Sequence, residues 1–88
     1  MAQIIKADGT IQEVQPKNGN DFKLAEMNEI VGGYIEIINA KDGRIIIIDE
    51  EGKLKNKPFN EEATKLYIHG LQDPIVGDVL VCNQEEVD

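Results

Sequence analysis

The chain has no tryptophan, one cysteine (Cys82) and one histidine (His69), and each shortage closes off a class of chemistry. A single cysteine forms no intrachain disulfide, and one cysteine with one histidine falls short of the ligand set of a structural zinc site. There is no second histidine, no His-x-x-His pair and no nucleophile elbow, so nothing assembles a hydrolytic constellation around His69. Long apolar runs are also missing. The longest aliphatic stretch, Ile45–Ile48, is far short of the ~20 residues that cross a bilayer. Met1–Lys6 lacks the apolar centre of a secretion signal. A cytoplasmic protein without membrane contact is therefore expected. Positive charge is scarce as well, with nine Lys and Arg against 17 Asp and Glu and a formal charge of −8. Direct nucleic-acid binding, which needs clustered cations to displace counterions from phosphates, is disfavoured.

What is present is isoleucine, thirteen of them in 88 residues, with only Phe22, Phe59, Tyr34 and Tyr67 as aromatics. β-Branched side chains suit a pleated surface, so the composition leans toward sheet. The length is that of one domain. Residues 1–83 are expected to form it, and 84–88 an acidic disordered tail.

Along the chain, Gln3–Ala7 and Thr10–Val14 flank Asp8-Gly9, a two-residue hairpin signal. Phe22–Val31 carries Leu24, Met27, Ile30 and Val31 on one helical stripe. Phe22 and Met27 are spaced as a hydrophobic staple, and Glu26 stands at the third helical position. Lys23 offers no acceptor as a cap, which leaves Asp21 as the candidate, and Gly32 is placed to end the helix in the left-handed region. Tyr34–Asn39 and Arg44–Asp49 read as strands, and the apolar run within the second marks it as central. Asp49–Gly52 reads as a turn and Lys53–Lys55 as a short returning strand. Phe59–His69 reads as a second helix, capped by Asn60 and closed by Gly70. Val79–Cys82 is the last strand. The expected fold is α+β: a single small domain in the order ββ-α-βββ-α-β, a mainly antiparallel curved sheet with both helices on one face. Several strands are apolar on both faces, so the second face needs cover, and a second copy of the chain is a candidate for it.

The chemistry-bearing residues read mostly as structural. His69 sits where a helix dipole favours an imidazolium. Cys82, within an apolar run, behaves as a small hydrophobe. Asp49-Glu50-Glu51 lacks the alternating ligands of a calcium loop. Glu61 and Glu62 would repel a phosphate at the second helix, and Gly32-Gly33 follows a helix rather than a strand, so neither is a phosphate cradle. Lys53, Lys55 and Lys57 alternate and, if extended, point one way, either guarding an edge or holding an anion.

Four segments together carry a resemblance: Glu29-Ile-Val-Gly-Gly-Tyr-Ile-Glu36, Asp49-Glu-Glu-Gly-Lys-Leu-Lys55, Pro58-Phe-Asn-Glu-Glu-Ala-Thr64 and Ile75-Val-Gly-Asp-Val-Leu-Val81. With these, Ile4–Cys82 resembles a family of small uncharacterised proteins, catalogued as a domain of unknown function, from bacteriophages, prophages, other mobile elements and gut bacteria. The resemblance implies a small accessory protein of mobile DNA and brings no reaction, cofactor or catalytic residue. Lys23 and Lys57 depart from it, standing in place of a capping hydroxyl and a small turn residue.

The expected function is therefore a non-enzymatic binding module that engages a protein partner or sequesters a small ligand, with no cofactor and no metal. Its candidate binding residues are Tyr34, Glu36, Glu50, Lys53 and Asn60, between the Gly-Gly turn and the second helix. The alternative is an acidic mimic of nucleic acid that blocks a host DNA-binding protein; nine cations interleaved with the acids argue against it. An enzyme would have to use Glu36 and Glu50 as a carboxylate pair.

Overall fold

The computed structural model describes residues 2–88. Its strands are Ala2–Ile5 (β1), Ile11–Val14 (β2), Ile35–Asn39 (β3), Ile45–Asp49 (β4) and Val79–Cys82 (β5), and its helices are Leu24–Val31 (α1) and Glu61–Leu66 (α2). All strand pairings are antiparallel, and the sheet order is β2-β1-β5-β4-β3. β1 and β2 form the hairpin expected around Asp8-Gly9, where the Asp8 carboxylate accepts from Thr10 N–H at 2.9 Å. β5, last in the chain, fills the slot between β1 and β4.

The alternation of side chains along β4 and β5 divides the core in two. Ile45, Ile47, Leu80 and Cys82 join Phe22, Met27 and Val31 on one side. Ile46, Val79 and Val81 join Ala63, Tyr67 and Ile75 on the other. α1 therefore covers one face and α2 the other, which corrects the expectation of both helices on one face. The physical reason is that two central strands apolar on both sides need cover on both sides. The chain supplies it itself, so the uncovered face that made a second copy a candidate is filled from within.

α1 begins without a side-chain cap at Lys23. Its start is fixed by Phe22 and Met27, both buried in one cluster, as a staple predicts. Asp21, the candidate cap, instead accepts from Asn18 Nδ2 and pairs with Lys23. Gly32 ends the helix at φ 80°, as expected.

Three segments depart from the sequence reading. Lys53–Lys55 is not a strand but part of a run of turns over residues 50–56, closed by Asn56 in the left-handed region at φ 56°. α2 stops at Leu66 rather than reaching His69, because Tyr67 bridges to Ala40 and Ile68 N–H donates to Asn39 C=O. Gly70 then opens a short 3₁₀ turn instead of closing the helix. Finally, Asn83–Asp88 folds back: Asn83 and Glu86 form a capping box, Phe22 N–H donates to Glu86 C=O at 2.7 Å, and Val87 packs on the core.

Candidate functional site

The site grows from the end of β4. Asp49 is the last residue of that strand, and its side chain is only 1% exposed. Burial pushes its carboxyl up, but hydrogen bonds from Lys57, Lys55 and the Glu51 N–H outweigh this and bring it from an ordinary 3.8 to about 2. Lys57 Nζ lies 2.7 Å and Lys55 Nζ 2.9 Å from Asp49 Oδ2. The same two ammonium groups donate to the carbonyls of Val31 and Gly32, at 2.6 and 3.2 Å. α1 has no basic residue in its own last turn, so a distant loop supplies the cations that its C-terminus favours. Gly33 makes room for this clamp: a Cβ there would lie 2.6 Å from Lys55 Nζ and 2.7 Å from Asp49 Oδ1.

The turns from 50 to 56 split the row of lysines. Lys55 and Lys57 turn inward to Asp49, while Lys53 crosses to an ion pair with Asp73. The one-sided comb of three lysines expected from an extended segment does not form.

Between β3, the 50–54 turn and residues 73–76 lies a recessed pocket of about 160 Å³. Ile38, Ile48, Ile75 and Val76 supply apolar lining, and Glu36, Glu50, Lys53, Tyr67 and Asp73 supply polar groups. The β3–β4 register sets Glu36 opposite Ile48, and Glu50 N–H donates to Tyr34 C=O at 2.9 Å, which continues the ladder and brings both glutamates to the pocket. Lys53 is bound to Asp73 and holds that carboxyl below its ordinary range. Burial, then the charges of Asp73 and Glu36, push the Tyr67 phenol up. Among the described residues, Glu36 and Glu50 have no cationic partner.

Of the five residues nominated from sequence, Glu36, Glu50 and Lys53 meet in this pocket. Tyr34 lies beside it, joined through its carbonyl, with its side chain out in solvent at 72% exposure. Asn60 is elsewhere and fully buried. It caps α2 by accepting from Ala63 N–H at 3.0 Å and donates through Nδ2 to the carbonyls of Ile5 and Gly77. Both of its amide donors are used, tying the start of α2 to β1 and to the segment before β5.

A family model for a domain of unknown function, DUF3846, matches residues 2–88. The chain belongs to the DUF3846 family. No curated protein and no solved structure matches it.

In this DUF3846 domain, sequence reasoning missed Tyr67 and Asp73 as pocket residues. Tyr67 reads as one more apolar position of a helix, and Asp73 as a breaker before Pro74. The usable signal was Pro74 itself, which keeps Asp73 out of the helical region, at φ −144° and ψ 79°. Its counter-charge, Lys53, is twenty positions away and invisible to local pattern. His69 is no longer at a helix C-terminus, since α2 ends earlier; its ring stands edge-on to Tyr67 at 5.2 Å. Burial pushes the Cys82 thiol up to about 11, in keeping with a packed, unreactive side chain.

Proposed function

We propose that this DUF3846 domain is a non-enzymatic binding module whose pocket takes up a small positively charged group. One observation carries the reading: among the described residues, Glu36 and Glu50 stand without cationic partners at a pocket lined by Ile38, Ile48, Ile75 and Val76. Every other acid around that pocket is already matched, Asp49 by Lys55 and Lys57, and Asp73 by Lys53. A group with an apolar stem and a cationic head satisfies both linings, the stem by burial and the head by charge. The volume suits about five water-sized groups, which is the scale of an alkylammonium or of one basic side chain. The setting we propose is the bacterial cytoplasm, as an accessory protein of bacteriophages or mobile elements. Mimicry of nucleic acid has less support, because Asp21, Asp42, Asp49, Asp73, Asp88, Glu61 and Glu62 are held in ion pairs rather than presented as a bare stripe.

Titration with n-butylammonium tests the reading, followed through the methyl NMR signals of Ile38, Ile48 and Val76. Binding is expected with a Kd of about 1–10 mM, the range open to five heavy atoms. Joint replacement Glu36→Gln and Glu50→Gln should abolish the shifts, and n-butyrate should give none. Equal responses to the amine and the acid, or none to either, would remove the proposal.

A further inference from the structure

We infer that the open edge of β3 docks an extended basic segment of a partner protein, which adds a strand to the sheet and lodges a Lys or Arg side chain in the acidic pocket. The second half of this rests on the reading above; the first does not. In the β3–β4 ladder the backbone groups of Tyr34 and Ala40 point to β4, since Tyr34 C=O accepts from Glu50 N–H and Ala40 N–H donates to Arg44 C=O. Antiparallel partners alternate, so Glu36 and Ile38 also face β4, while the N–H and C=O groups of Ile35 and Ile37 and the N–H of Asn39 face outward. The far end of this edge is already taken: Asn39 C=O accepts from Ile68 N–H and Lys41 N–H donates to Leu66 C=O, at 3.2 and 2.8 Å. What stays open is a short stretch of edge with a built-in stop, which fixes where an added strand ends.

The edge carries no lysine, proline or bulge of the kinds that guard exposed strands. Its two sides differ. Ile37, opposite Ile47, is 49% exposed on the α1 side, and Glu36 meets the pocket on the α2 side. An added strand alternating apolar and basic residues sets its apolar side chains beside Ile37 and its cations beside Glu36 and Glu50. The other edge strand, β2, carries its exposed isoleucine, Ile11, at its start and has Gln12 and Glu13 at its centre. A second copy fits poorly. Pairing β3 with itself gathers the Glu36 and Glu50 carboxylates of both copies on one side, where like charges repel. Pairing centred on Ile37 also meets the Leu66–Ile68 stop of each copy.

The probes are three capped hexapeptides: one alternating Lys and Val, its twin N-methylated at the amides that would face β3, and a twin with Glu for Lys. The Lys/Val peptide should bind and slow hydrogen exchange at the Ile35, Ile37 and Asn39 amides. The methylated twin should bind about tenfold more weakly or worse, from the loss of two or more backbone hydrogen bonds. The Glu twin should fail. Ile37→Pro removes an outward N–H that the protein's own ladder does not use, at a position where an edge strand tolerates proline, so binding should vanish while the fold stays. Should that variant not fold, the methylated peptide on the unaltered chain still decides. Equal binding of methylated and unmethylated peptides overturns the inference but leaves the pocket reading standing. So does binding of n-butylammonium without binding of any peptide. A dimer in solution that Ile37→Pro turns into monomer also overturns it, giving the edge to a second copy.

Discussion

Lys57 Nζ lies 2.7 Å from Asp49 Oδ2 and donates to Val31 C=O at 2.6 Å, so one ammonium ties the end of β4 to the end of α1. Lys55 repeats the arrangement with Gly32 C=O. Lys57 is thus half of a clamp beside the candidate pocket.

The clamp makes stability depend on acid. Asp49 titrates near 2 in the fold and returns to about 3.8 when unfolded, so the unfolded chain binds the proton more tightly. The stabilisation is complete above about pH 5 and disappears as pH falls through 4 toward 2, a loss of about 2 kcal/mol. Urea unfolding at pH 6 and pH 2.5 should give a larger difference for the unaltered protein than for Asp49→Asn. The variant should also be weaker by about 2–3 kcal/mol at neutral pH, since two lysines lose their counter-ion. Parallel pH profiles for the two proteins would contradict the assignment.

Asn60 gives a second prediction. In Asn60→Asp the oxygen that caps Ala63 N–H is kept, but the two donors to Ile5 and Gly77 become an acceptor facing two carbonyls. A loss of about 3 kcal/mol or more is expected, well beyond the ~1 kcal/mol of the cap alone. A urea midpoint that moves no further than a lost cap requires would mean that Asn60 does not bridge helix and sheet.

A third concerns residues 84–88. Ending the chain after Asn83 removes the Glu86 carbonyl that receives Phe22 N–H and exposes the ring of Phe22, now fully buried. The cost should be about 2 kcal/mol, chiefly from partial exposure of one aromatic side chain and the loss of the two backbone hydrogen bonds between Phe22 and residues 86 and 88. Amide exchange at Phe22 should accelerate far more than exchange in β4. Unchanged protection at Phe22 would show that these residues contribute nothing to the fold.

Much of the fold was legible because its signals are local. Asp8-Gly9 names a hairpin, Phe22 with Met27 names a helix start, Gly32 names its end, and Ile45–Ile48 names a central strand. The opposed helices were not legible. Two-sided apolar strands state that cover is needed on both faces, but not which element provides it. The early end of α2 was hidden for a similar reason, since Tyr67 is diverted by Ala40, a partner 27 positions away. At the site, the sequence brought forward Glu36, Glu50 and Lys53, which do meet. It misplaced Asn60, because a polar cap residue looks the same whether it faces solvent or is used up inside. The partners of Lys53, Lys55 and Lys57 depended on a turn at Asn56 that alternation alone does not contain.

The position of β5 at the centre of the sheet governs when the molecule first becomes a molecule. Among the described residues, β1 and β4 have no direct pairing, and Val79–Cys82 lies between them in the sheet. Until residues 79–82 are made, then, the N-terminal hairpin and the β3–β4 hairpin lack the strand that pairs them into one sheet. Each half of the hydrophobic interior takes two of its side chains from this strand, Leu80 and Cys82 on one face and Val79 and Val81 on the other, so neither is complete without it.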